Sequence, residues 1–233
     1  MVASDAGLES FSGYRALRVV RLSGDACPAS RDDGRAGLRR RDRPAGPFGA
    51  RFLLAAAKPV RVLQLGTLIG FSLVMIADVL RQNGRGHLNT VDPEQPANLI
   101  AWSWAERAGL NEWITFREGR STDPSIRELM AACGPFDFIY VDSSHAYDAT
   151  LVEFDLILGQ SGWLSKSGLL VLHDAAFGAA QFDQTGRGGV HRALEEWLAP
   201  RAEQYQRIVL EPPFCRVSAE SGSSSTSPGR LRP

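Results

Sequence analysis

Apolar positions along the chain change period repeatedly, from short solid runs to positions three and four residues apart. Short runs at 62–65, 87–91, 114–116, 136–141 and 169–172 have the length and apolar character of strands covered on both faces. Between them apolar residues recur at helical spacing. Leu73, Ile76, Ala77 and Leu80 form one such stripe; Leu99, Trp102 and Ala105 a second; Leu151, Phe154, Ile157 and Leu158 a third. A helix is predicted at 124–132, where Asp123-Pro124 supplies the start and Gly134 the stop, and another at 190–198. Residues 52–57 read as the end of a helix leading through Lys58-Pro59 into the first of these strands. Two more strands are expected at 207–210 and 214–217. Strands alternating with helices predict an α/β fold, a mostly parallel seven-stranded sheet with helices on both faces.

In such sheets ligands bind at the carboxyl ends of the strands, near the point where strand order reverses. Polar residues gather there: Gly66-Thr67, Asp92, Gly119-Arg120-Ser121, residues 142–145 and His173-Asp174 each follow a different strand. The first of these turns, within 61–72, joins a buried strand to a helix that begins near Phe71. Gly66 and Gly70 permit close approaches, and the turn aims free N–H groups and a helix N-terminus above the strand end. Their Gly-x-x-x-Gly spacing is not the Gly-x-Gly-x-x-Gly of dinucleotide binders, which counts against a nicotinamide-dependent dehydrogenase.

Composition narrows the choices further. With 233 residues the chain can form one sizeable α/β domain. A net charge of zero argues against a dedicated nucleic-acid or membrane-surface binder. Cys27, Cys133 and Cys215 are scattered and form no zinc or disulfide pattern. No run approaches the roughly 18 apolar residues of a membrane span, and Arg15, Arg18 and Arg21 interrupt any signal-peptide core. The expected compartment is the cytoplasm. Residues 1–51 hold ten Arg against six acids and read as an irregular leader, either a basic arm or a poorly ordered segment. The domain is expected at 52–217, followed by a Ser/Gly/Pro-rich, disordered tail at 218–233.

Four motifs, in order, carry a family resemblance over about residues 58–217. They are Gln64-Leu65-Gly66-Thr67-Leu68-Ile69-Gly70-Phe71-Ser72, Val91-Asp92-Pro93-Glu94, Tyr140-Val141-Asp142-Ser143-Ser144-His145-Ala146-Tyr147, and a glycine-led strand from Gly168 to His173-Asp174. Together they resemble the Rossmann-like class I S-adenosylmethionine-dependent methyltransferases. Within that class they are most similar to methyltransferase family 24 and to the catechol-type and macrocin-type small-molecule O-methyltransferases.

The resemblance implies methyl transfer from S-adenosylmethionine to a hydroxyl of a small acceptor, a secondary metabolite or sugar among the options. It implies cofactor contacts from Gln64, Gly66, Thr67, Gly70, Ser72, Asp92, Gly119, Arg120, Ser121, Asp142 and His145. Asp92 would accept the ribose hydroxyls, and Ser121 would donate to a ring nitrogen. Relatives often dimerise, so a homodimer is one option. Three accounts of Asp142, His173 and Asp174 stay open. They hold Mg²⁺ or another divalent cation that lowers the acceptor's pKa; or His145 or His173 is a metal-free general base; or the residues only cap strand ends. Gln64 stands where relatives carry an acid, which leaves a degenerate, non-catalytic cofactor-binding paralogue as the alternative to an enzyme.

Overall fold

The computed structural model describes residues 17–22, 45–159 and 162–210. Its centre is a parallel sheet built from β2 (Arg61–Leu65), β3 (His87–Asp92), β4 (Ile114–Glu118), β5 (Phe136–Val141) and β6 (Leu164–Leu172). Two further strands, β1 (Leu17–Leu22) and β7 (Tyr205–Leu210), extend it, giving the order β4-β3-β2-β5-β6-β1-β7. Every pairing is parallel.

Alternation along the strands explains why both faces are covered. In β5, Phe138 and Tyr140 join one apolar cluster while Ile139 and Val141 join the other, and all four are buried. On the first face the sheet packs against α1 (Ala45–Ala57), α2 (Phe71–Asn83) and α3 (Gln95–Arg107) through Leu54, Leu73, Ile76, Leu80 and Ala101. On the second it meets α4 (Pro124–Cys133), α5 (Tyr147–Leu158) and α6 (Gly189–Leu198) through Met130, Phe154, Ile157, Leu194 and Trp197. Complete burial of Leu73, Ile76 and Leu80 alone contributes roughly 1.5–3 kcal/mol each.

Two findings change the expected boundaries. Residues 17–22, inside the segment expected to be irregular, form β1 and pair with both β6 and β7. Arg18 and Arg21 interrupt the apolar pattern there, yet Leu17, Val19, Val20 and Leu22 suffice for a short strand. The boundary expected between residues 51 and 52 also falls inside α1, which begins at Ala45. The slot beside β6 is thus filled by β1. The strand expected at 214–217, the tail at 218–233 and the rest of the leader lie outside the described residues.

The chain winds outward through β2, β3 and β4, then crosses back to continue through β5 and β6. The reversal lies between β2 and β5, the position at which a parallel sheet opens a crevice. There the Asp142 N–H donates to the Leu65 carbonyl at 2.8 Å, and the Gly66 N–H to the Val91 carbonyl at 2.9 Å. A Cβ on Gly66 would sit 2.0 Å from the Asp142 carbonyl oxygen, and the residue has φ +87°. Only glycine satisfies both constraints.

Gly66→Ala should therefore cost about 3 kcal/mol in denaturant unfolding, from overpacking plus left-handed backbone strain. Gly84→Ala is the control. It has φ +66° but nothing within 4 Å of an added Cβ, so only the backbone cost of about 1 kcal/mol applies. Equal losses at the two positions would contradict this reading of the strand junction.

Candidate active site

A cavity of about 590 Å³ opens at the switch point, over the carboxyl ends of β2, β3, β4 and β5. That is within the range of small-molecule sites. Of the residues singled out from sequence, Gly66, Thr67, Asp92, Gly119, Arg120, Ser121, Asp142 and His145 line it. Asp92, buried at the end of β3, holds the glycine turn in place. Its Oδ2 accepts from the backbone N–H groups of Thr67 (2.6 Å) and Leu68 (2.9 Å), and its Oδ1 from Glu94 N–H (2.7 Å). A carboxylate has about four lone-pair sites, so one on Oδ1 is left uncommitted.

At the β5 and β6 ends, four side chains from two loops converge. Asp142, His145, His173 and Asp174 each offer one ligand atom, and these atoms all lie within 4.8 Å of one another. His145 Nε2 stands 3.2 Å from Asp174 Oδ2 and 3.7 Å from Asp142 Oδ1. His173 Nδ1 stands 3.0 Å from Asp174 Oδ2 and 3.2 Å from Asp142 Oδ1. Short as these distances are, His145 Nε2, His173 Nδ1 and Asp174 Oδ1 make no hydrogen bond of acceptable angle. Four potential ligand atoms this close together could hold a metal ion. Burial disfavours the His173 imidazolium, but the Asp142 and Asp174 carboxylates outweigh it and raise its pKa to about 10. Burial likewise pushes Asp174 up, and His145 and His173 reverse this, holding it at about 2. His173 and Asp174 do not line the cavity, but they touch Asp142 and His145, which do.

A loop packs beside this cluster. The ring of Phe182 lies 5.8 Å from that of His145. Buried Asp183 anchors the loop by accepting from Thr185 N–H (3.0 Å), Arg187 N–H (3.0 Å) and Gly189 N–H (2.9 Å).

Three expected cofactor contacts lie elsewhere. Gln64 is fully buried, and its Nε2 donates to the Gly66 carbonyl and to Ser72 Oγ, both at 2.8 Å. Position 64 shares the α2-facing side of β2 with Val62, so Gln64 ties the strand to the first turn of α2. Ser72 accepts that bond through Oγ and does not line the cavity. Gly70 is needed for packing, since a Cβ there would lie 2.7 Å from the Ala101 backbone of α3.

One residue on the wall was missed from sequence. Glu153 lines the cavity and is only 3% exposed. It accepts from Ser121 Oγ at 2.7 Å and from Ser143 Oγ at 2.7 and 2.9 Å. Burial raises its pKa, with the two serine hydroxyls and the nearby His145 opposing the rise. The available signal was an acid on the same α5 face as Thr150 and Ile157, a face that is buried.

With this geometry in hand, the chain can be set beside known proteins. Residues 63–175 match a family model described as a methyltransferase domain. Over 103 residues the chain is 32% identical to a catechol O-methyltransferase of Niastella koreensis, covering 44% of this chain and 46% of that one. Over 97 residues it is 32% identical to tricin synthase 1 of Oryza sativa subsp. japonica, covering 39% and 37%. It thus spans less than half the length of these curated relatives. The O-methyltransferase TomG from Streptomyces achromogenes, solved in complex with SAM, aligns with a TM-score of 0.57 and 25% identity, over 68% of this chain and 70% of that one. The fold is that of the class I methyltransferases.

Glu153 sets a pH dependence. Its folded pKa lies above the unfolded value of roughly 4.3, so the folded state holds the proton more tightly than the unfolded one. Its contribution to stability is present below the unfolded pKa and is lost as pH rises through the folded pKa. Glu153→Gln removes this term. The stability of the variant relative to the wild type should increase from pH 4 to pH 8 in chemical denaturation. A difference that does not change with pH would show that Glu153 titrates normally.

Proposed function

We propose, from the match of residues 63–175 to a model described as a methyltransferase domain, that the chain is an S-adenosylmethionine-dependent O-methyltransferase acting on a hydroxyl of a small molecule. The observation that supports this best is the convergence of Asp142, His145, His173 and Asp174 beside a cavity at the switch point of the sheet. The catechol and tricin names of the relatives favour a phenolic acceptor.

The chemistry requires an acceptor oxygen and the sulfonium methyl held in line, with the hydroxyl proton removed. In this reading the Gly66–Leu68 turn supports the amino-acid end of the donor, and the uncommitted Asp92 lone pair takes a ribose hydroxyl. The cluster marks the acceptor side, and Phe182 and the Asp183-anchored loop keep water from it. The donor set also fits a divalent cation. Two imidazole nitrogens with two carboxylate oxygens suit a transition ion better than Mg²⁺, which favours oxygen throughout. When bound, such an ion lowers the pKa of an acceptor hydroxyl. Asp142, His145, His173 and Asp174 would hold it.

Labelled methyl transfer from S-adenosylmethionine to a panel of catechols and other phenols tests the proposal. Transfer should disappear after chelator treatment and return more fully with Mn²⁺ or Co²⁺ than with equimolar Mg²⁺. Asp142→Ala and His173→Ala should each lower it at least tenfold. Undiminished transfer after chelation would remove the cation from the account. Cofactor binding with no transfer to any acceptor would favour the non-catalytic paralogue.

A further inference from the structure

We infer that Glu153 sets the hydrogen-bonding polarity of the purine end of the cofactor site, so that the wall accepts hydrogen bonds and selects the exocyclic amine of adenine. The inference rests on the cofactor reading above. For transfer, the sulfonium must face the Asp142–Asp174 cluster, and the ribose has its partner in Asp92. The most deeply buried polar group left on the wall is Glu153, with Ser121 and Ser143 bonded to it, and all three line the cavity.

The direction of those bonds is decisive. A serine hydroxyl has one proton. Ser121 Oγ donates its proton to Glu153 Oε1 at 2.7 Å, so what it offers the cavity is lone pairs. Turning that proton toward a ligand would strip a donor from a buried carboxyl group, which is costly. Ser143 is committed to the same group, at 2.7 and 2.9 Å. An acceptor wall matches an N–H₂ group and repels a ring carbonyl. The expectation that Ser121 donates to a ring nitrogen is thereby reversed. A site built around hydrogen-bonding a particular group discriminates strongly against an analogue that leaves it unpaired.

Calorimetric titration with S-adenosylhomocysteine and with S-inosylhomocysteine, in which a ring carbonyl replaces the amine, tests the inference. The wild type should bind the adenosyl compound at least tenfold more tightly. Glu153→Met keeps the volume but frees both serine protons, and should bring the two affinities within about threefold. Ser121→Ala is the milder second variant; it should weaken the adenosyl compound alone. Wild-type affinities within twofold of each other, or a ratio unchanged in both variants, would overturn the role of Glu153 while leaving the cofactor reading intact. If neither compound binds the wild type, both readings fall together.

Discussion

A parallel sheet that reverses its winding must bring two strand ends together with almost nothing between them. Here Gly66 does so against the carbonyl of Asp142, at a separation that admits no Cβ. The rest of the site depends on that approach. It sends the chain after β2 into a turn whose N–H groups at Thr67 and Leu68 reach the Asp92 carboxylate. It also places Asp142, the first residue beyond β5, where the loop after β6 delivers His173 and Asp174. One steric constraint between two backbones thus sets both the Asp92 side and the Asp142 side of the cavity.

Electrostatics then separates the two regions of the wall. Around Asp142, two carboxylates face two imidazoles, a set that balances when both rings are protonated or when a divalent cation takes the protons' place. Toward Ser121, by contrast, a single buried carboxyl group takes its hydrogen bonds from two neutral hydroxyls. Such a group is costly to ionise, and it governs its neighbours through the protons it attracts. The same cavity therefore offers charge chemistry in one place and hydrogen-bond selectivity in another. The Asp183 loop, tied by three backbone N–H groups, packs Phe182 against His145 beside the former.

Much of this was legible in the chain because strand ends are legible. Asp142 and His173 are far apart in sequence, yet each follows a run of buried apolar residues, and a parallel sheet collects such positions on one edge. Gln64 and Ser72 were read as cofactor contacts because a motif gives spacing and not facing. The two-residue period of β2 turns position 64 toward α2, where its amide ties strand to helix. Gly70 looked like part of a ligand turn, whereas its need for glycine comes from Ala101, which only the packing of α3 reveals. The strand at 17–22 was hidden by two arginines in an otherwise apolar hexapeptide. Glu153 went unnoticed although an acid on a buried helical face is itself a signal, because its partners Ser121 and Ser143 come from separate loops.

The central claim is that one cavity holds S-adenosylmethionine with its sulfonium toward the Asp142–Asp174 cluster and its purine against Glu153. An experimental structure of the protein with S-adenosylhomocysteine tests it most directly. The account predicts the sulfur on the His145 side, a ribose hydroxyl at Asp92, and the exocyclic amine within hydrogen-bonding distance of Ser121 Oγ. A purine lying away from Ser121 and Glu153, or the ligand bound outside this cavity, would contradict it.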